Sequence, residues 1–526
     1  MSWIDEAVIY QINLRSLAAR EPRNAIEAIG EDAVAESALV YVTGNLEKIA
    51  KLGVNVLYLC PPYPIGVEGR KGIGSPYSSS DFMAVEPEYG TLDELKAFVR
   101  RAHELGMKVI FDITPNHTSR DHVWTKSNPD YYVHDENGEL FYDFDWSDVA
   151  KLNYHNPELC RAMVEVFDFW LSILGDEDVQ PRSGSSTVQP HSGSSTESRA
   201  GAPSLRSPVD SVSQGIDGFR LDMAHMISDL DFWNSAMAEL RQRYSSRSLL
   251  FLAECYGTQN NLDLFKRGIN AAYDDDFYKI CQYLYAVDEN GKSIVHESSE
   301  AEHNGDFSDK LAEYRSGGIA GAVLKSLANY DGVGAEFKVA RYTDNHDEGR
   351  GLHRFGAGAV IAMNQLLFMS PHCIPFILTG QEFGAVNRPS IHERMGVCDK
   401  GPTIVDGDSV NVVAGVEFEG NLFARERADR QKWYEFYKEL ISLRLSNQEL
   451  MYGEFVVVDA GEDAPKSLRT VVAFDRSLDG SVIRCAINMG KESRRLQNME
   501  LFKGTALYGK LDNGALEPFG AIVVKV

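Results

Sequence analysis

TLDELKAFVRRAHELGMKVIFDI, residues 91–113, changes its hydrophobic period once, and that change sets the fold class. Thr91 and Glu94 form a capping box, and Leu95, Phe98, Val99, Ala102 and Leu105 recur at helical spacing. Gly106 then ends the helix. Val109 to Ile113 follows as a short β-branched run, which is how a buried parallel strand reads. The same grammar recurs in NLEKIAKLGVNVLYLCPP (45–62), with Gly53 as the hinge between helix and strand. Further strands are expected in GIDGFRLDM (215–223), SLLFLAECY (248–256), FKVARYTDNHD (337–347) and CIPFILTGQE (373–382). Repeated units of this kind over roughly 440 residues predict an α/β fold, with a closed (β/α)8 TIM barrel as the most economical form.

Two regions interrupt the rhythm. An aromatic, turn-rich excursion lies between the strand around Asp112 and a helix capped by Asn156 with Pro157 in its first turn. It reads as a small inserted domain at 118–155. The second, GDEDVQPRSGSSTVQPHSGSSTESRAGAPSLRSPVDSVSQG (175–215), repeats SGSST and has almost nothing to anchor a core, so disorder over about 176–214 is expected. After KWYEFYKELISLRL the pattern changes to short β-rich pieces, EFVVVDA, RTVVAFD, SVIRCAIN and GAIVVKV. The expected organisation is a barrel formed by 1–117 and 156–445, the insert at 118–155, and a C-terminal antiparallel β-sandwich at 446–526.

Composition narrows the function classes. The 526 residues are 44% hydrophobic and 10% aromatic, with no apolar run long enough to span a bilayer, so no membrane partner is expected. Asp5 and Glu6 stand where a signal peptide requires basic residues. The seven cysteines are scattered and never form a CxxC pair, which argues against a disulfide framework and a zinc site. A cytoplasmic location is the expectation. A net charge of −25 repels phosphate backbones and anionic lipid, so nucleic acid is a poor partner. Oligomeric state is not legible.

Chemistry gathers at strand ends. In IDGFRLDMAHM (216–226), Gly218, Arg220 and Asp222 share one strand face and point toward the barrel interior. A cationic neighbour favours the ionised carboxylate, as a nucleophile requires, although an Arg-x-Asp pair alone is more often an ordinary buried ion pair at a strand end. Glu254 ends the next apolar run, where an apolar wall would raise its pKa toward that of a general acid. Asn345, His346 and Asp347 end a third strand, and Asp112, Asn116 and His117 a fourth. Four such clusters on one rim are hard to attribute to stability, because active sites of barrels collect at that face.

These segments, DITPNH, GFRLDMAH, LAEC and TDNHD, resemble in order and spacing the four signature regions of the α-amylase superfamily of glycoside hydrolases and transglycosylases. LNYHNPEL (152–159) and SPYSSSDF resemble two further motifs of that family. The resemblance implies a (β/α)8 barrel with an insert after the third strand and a C-terminal sandwich. It implies Asp222 as nucleophile, Glu254 as general acid/base and Asp347 as the third, sugar-binding carboxylate. Arg220 would orient Asp222; His117, His346 and Tyr77 would contact the sugar, with Asp112 and Asn345 in the substrate-binding set. The expected activity is retaining hydrolysis of α-1,4-glucans or maltooligosaccharides, which would be the substrate partners.

PPYPIGVEGRKGIGSPYSSSDF and RLDMAHM also look like the branch that contains maltosyltransferases acting on maltose 1-phosphate. Those enzymes lack the Asn-His-Asp form of the fourth region and carry a large extra N-terminal domain, whereas here Asn345, His346 and Asp347 are present and the barrel pattern begins near residue 7. Hydrolysis is favoured, and transglycosylation or maltosyl transfer stays open. A catalytically inactive, carbohydrate-binding relative would be favoured had a carboxylate been lost. Arg70 and Lys71 are candidates for a phosphate contact, or simply a solvated pair. No cofactor is expected for the chemistry. Asn116 matches a calcium-ligand position of the family, so a structural Ca2+ is a further expectation, although His225 and Met226 replace the usual Lys-His pair. Trp124, Tyr131, Tyr132, Tyr142 and Trp146 are stacking platforms for glucose rings or the insert's own core.

Overall fold

The computed structural model describes residues 2–18, 37–175, 215–285, 318–386 and 427–526. The Ser-rich segment and Cys398 lie outside the described residues. Eight parallel strands close a barrel: β1 (Ile9–Ile12), β2 (Val56–Leu59), β3 (Lys108–Ile113), β6 (Gly218–Leu221), β7 (Leu250–Ala253), β8 (Ala271–Tyr273), β9 (Lys338–Arg341) and β10 (Cys373–Leu378). They neighbour one another in that order, and β10 returns to β1 through Ile9 opposite Phe376. The three-residue β8 has no counterpart among the strands expected from sequence, because AAY is too short to show a period.

Local signals set the elements. Thr91 accepts from the Glu94 amide while Glu94 accepts from the Thr91 amide, and the helix Leu92–Glu104 buries Leu95, Phe98, Val99 and Ala102. Gly53 ends the helix Ala38–Leu52 at φ +105°, where a side chain would be strained. Gly218 has a steric reason of a different kind: a Cβ there would sit 1.9 Å from the Leu250 carbonyl oxygen, so any other residue would force β6 and β7 apart.

Between β3 and the helix Pro157–Leu171 the chain makes a short antiparallel ribbon of β4 (His117–Ser119) and β5 (Val149–Lys151), with His117 opposite Lys151. Asn156 caps the following helix through the Glu158 amide, with Pro157 in its first turn. At the C-terminal end, β11 (Glu454–Val457), β12 (Val471–Leu478), β13 (Ser481–Asn488), β15 (Thr505–Gly509) and β17 (Ala521–Lys525) form one five-stranded antiparallel sheet. β14 (Arg494–Arg495) pairs with β16 (Ala515–Leu516) as a small second layer. The sheet alternates as a two-sided strand must: Val472, Phe474, Ile483, Cys485 and Val523 join the barrel core, while Val471, Ala473, Ala486 and Val524 enclose a second core with Leu496 and Leu516. The six described cysteines are free. Among the described residues no helix is long and apolar enough to cross a membrane.

Candidate active site

Three strands deliver carboxylates to one guanidinium. Arg220, fully buried on β6, donates from Nη1 to Asp112 Oδ1 at 2.9 Å and to Asp222 Oδ1 at 2.5 Å. Its Nη2 forms an ion pair with Glu254 Oε2 at 3.0 Å. Register explains the convergence: Asp112 lies beside Arg220 across β3 and β6, and Arg220 beside Leu252 across β6 and β7, so Glu254 follows one pleat further on. Asp222 and Glu254 sit just past the C-terminal ends of their strands, 7% and 6% exposed. The Arg220 Cζ also lies 5.6 Å from the rings of Tyr77 and Tyr273, whose faces favour the cation.

One guanidinium cannot neutralise three buried carboxylates. Burial pushes the Asp112 carboxyl up to about 6 despite the pull of Arg220. Burial also pushes Asp222 well up, Arg220 opposing and Glu254 reinforcing the rise. The two-residue motif sets Arg220 against Asp222 alone, whereas the fold adds Asp112 and Glu254, so the lowering pull of Arg220 is shared among three carboxyls. Glu254 does not sit in an apolar wall. Its Oε2 also accepts from the Met223 amide at 3.0 Å, and Oε1 accepts from the Tyr256 hydroxyl at 3.2 Å. Met223, directly after Asp222, holds φ +46°, an uncommon conformation for a residue with a side chain, and so aims that amide at the glutamate.

A second network frames the opposite wall. Asp112 Oδ2 accepts from Tyr58 at 2.5 Å and from Tyr77 at 2.8 Å, so Asp112, with no exposed surface, anchors Arg220 and both tyrosines beneath the cleft. Tyr77 stacks on His346, ring centroids 5.6 Å apart at 17°, and its hydroxyl bonds His346 Nε2. Gln11 accepts the His346 amide at 3.1 Å and so turns its own NH2 toward Nδ1 at 2.7 Å. That arrangement assigns the imidazole proton to Nε2, which lies 3.0 Å from Asp347 Oδ2. The Asp347 side chain is 45% exposed, while Asn345 is buried and caps the turn through the amides of Asp347 and Glu348. On the insert side, His117 is buried, faces the Asn116 amide at 3.3 Å and packs 5.6 Å from the Trp146 ring. Burial lowers its pKa to about 4, leaving a neutral imidazole.

Gln11, Tyr58, Met223 and Tyr256 belong to the site without having been singled out from sequence. Tyr256 carried a signal, since it lies one pleat beyond Glu254. Gln11 and Tyr58 carried a weaker one, as polar positions inside apolar strands. Of the insert aromatics, Tyr131 and Tyr132 are buried and Trp124 packs on Tyr131, Tyr142 is exposed, and Trp146 borders His117. Arg70 donates to the carbonyls of Gly66 and Ile65 in its own loop, and Lys71 to that of Asp145.

The surroundings of Asn116 do not fit calcium, which takes six to eight oxygens. Its Nδ2 donates to Asp143 Oδ2 at 3.0 Å, and the other oxygen of that carboxylate is held by Lys151 Nζ at 2.8 Å. Among the described residues no three His, Cys, Asp or Glu side chains gather as a metal cluster.

Comparison with known proteins agrees with this geometry. The family described as "Alpha amylase, catalytic domain" matches residues 36–137. "Alpha-amylase 3" of Dictyoglomus thermophilum is 21% identical, over 100% of this chain and 94% of its own length. An α-1,4-glucan:maltose-1-phosphate maltosyltransferase of Arcanobacterium haemolyticum is 26% identical over 54% of this chain and 38% of its own. Among solved structures, an α-amylase from Lactobacillus plantarum superposes with a TM-score of 0.66 at 22% identity, covering 100% of both chains. Residues 36–137, which carry β2, β3 and the Asp112–His117 cluster, thus match the α-amylase catalytic-domain family, and the chain as a whole is similar to proteins of that superfamily in sequence and in its closed barrel.

Proposed function

We propose that the protein is a retaining α-glucoside hydrolase acting on α-1,4-glucans or maltooligosaccharides. The observation that carries this reading is the meeting of Asp222 and Glu254 on Arg220 just past the strand ends, with Asp112 of the same cluster linked through Tyr77 and His346 to the exposed Asp347. Relatives named α-amylase and oligo-1,6-glucosidase support the glucoside class.

The chemistry is a double displacement. Asp222 attacks the anomeric carbon as Glu254 gives its proton to the departing glycosidic oxygen, forming a glycosyl ester on Asp222. Glu254, now a base, takes a proton from water as that water attacks the anomeric carbon and frees Asp222. Arg220 holds both carboxylates in place, and its positive charge stabilises the ionised Asp222 that forms again at the end of each cycle. Asp347, neutral His346 and neutral His117 bind sugar hydroxyls, and Tyr77 offers its ring to the sugar.

The maltosyltransferase likeness supports a second reading, in which a sugar or phosphate replaces water as acceptor. Against a phosphate acceptor, the Arg70 guanidinium is already committed to carbonyls of its own loop. Incubation with maltoheptaose, with and without phosphate, separates the readings. Shorter oligosaccharides in both arms indicate hydrolysis, longer ones glucan transfer, and a phosphorylated product only with phosphate indicates maltosyl transfer. No reaction on any α-glucoside would return the inactive, carbohydrate-binding alternative.

A further inference from the structure

The joint between the insert and the barrel mouth is built around a lysine. Asn116 follows β3, Asp143 lies in the insert, and Lys151 ends β5 opposite His117. Each oxygen of the Asp143 carboxylate has its own donor: Lys151 Nζ at 2.8 Å on Oδ1, and Asn116 Nδ2 at 3.0 Å on Oδ2. The lysine and aspartate side chains are only 15% and 14% exposed, so the pair is largely shielded from solvent. Asn116 turns its Oδ1 away from the carboxylate, and that oxygen is buried with no hydrogen-bond partner. For a divalent cation to sit here the amide would have to flip, presenting Oδ1 beside the carboxylate, and the ammonium would have to withdraw. An ammonium and a dication cannot share one carboxylate at hydrogen-bonding distance, because both sit within a few ångströms of each other in a poorly screened site.

We propose that the Lys151 ammonium is the resident cation of this joint, holding Asp143 and through it Asn116 and the first strand of the insert, so that the joint takes no divalent metal. The charge is covalently attached and is present whatever the metal content of the surroundings. The inference concerns the joint alone and does not depend on which substrate the cleft accepts.

Thermal unfolding of the full chain tests it, in EDTA and in millimolar calcium, for the wild type, Lys151→Met, Asp143→Asn and the double variant. The wild-type midpoint should be the same in both solutions. Each single variant should melt several degrees lower, and the double variant no lower than the worse single one, because both substitutions remove the same interaction. A wild-type midpoint that falls in EDTA and recovers with calcium would overturn the proposal, as would fully additive losses or a Lys151→Met protein that melts like wild type. Should the variants not fold, calorimetric titration of wild type with calcium decides: absence of binding supports the lysine-filled joint, and binding coupled to a raised midpoint overturns it.

Discussion

Replacing Arg220 with methionine removes the one positive charge shared by three buried carboxyls. Breaking a buried ion pair from one side costs about 3–5 kcal/mol, because the abandoned partner stays charged and buried. The structure makes that cost depend on pH in a defined direction. The Asp112 carboxyl already lies at about 6 in the folded wild type, against 3.8 for an ordinary aspartate. That difference corresponds to about 3 kcal/mol in favour of the protonated form. A carboxyl raised in this way contributes stability that is fully present below about pH 3.8 and lost as pH rises through about 6. Removing Arg220 removes a lowering influence on Asp112 and on Asp222, so both rise further and are protonated in the variant well above pH 5. The stability gap between Arg220→Met and wild type should therefore be about 3–5 kcal/mol near pH 7.5 and clearly smaller near pH 5. Urea unfolding of both proteins at the two pH values measures it, using the difference at each pH so that the general acid sensitivity of the chain cancels. An equal gap at both values, or none at pH 7.5, would refute the shared-charge account.

Two further outcomes follow from the same geometry and one from the sequence. Asp222→Asn should abolish turnover of maltoheptaose while leaving the melting temperature at or above wild type, since the amide keeps the volume and relieves the excess of carboxyls around the single guanidinium of Arg220; near-normal activity would remove Asp222 from the role of nucleophile. Gln11→Leu should lower kcat/KM about tenfold or more, because the His346 ring loses its partner at Nδ1 and its backbone amide loses its acceptor, and kinetics on maltoheptaose compared with Gln11→Glu would show whether the orienting bonds matter. Deletion of residues 180–210 should leave turnover nearly unchanged, and loss of activity in a folded deletion protein would assign that segment a function.

What could be read from sequence was whatever is local. The Thr91–Glu94 capping box, the glycines after two helices and the change of period at residue 107 each act within one or two turns of chain, so the barrel units announce themselves. Arg220 and Asp222 were legible for a similar reason, since alternation on a strand places them on one face. The surroundings of those residues were not. Glu254 meets Arg220 from another strand, and Gln11 reaches His346 across 335 residues of sequence, because barrel closure brings β1 beside β10. The Lys151–Asp143 pair was equally hidden, as nothing in DFDWSDVAK marks which carboxylate the lysine will choose. The C-terminal region read as a two-layer β structure, but its inequality of five strands over two depends on the barrel taking up one face of the larger sheet.

Asp222 and Glu254 are proposed to work as nucleophile and acid/base in a double displacement. The most direct test is the anomeric form of the first product released from maltoheptaose, followed by proton NMR before mutarotation. The new reducing end should appear as the α-anomer, the configuration of the bond that was cleaved. Initial release of the β-anomer would mean a single displacement by water and would contradict these roles.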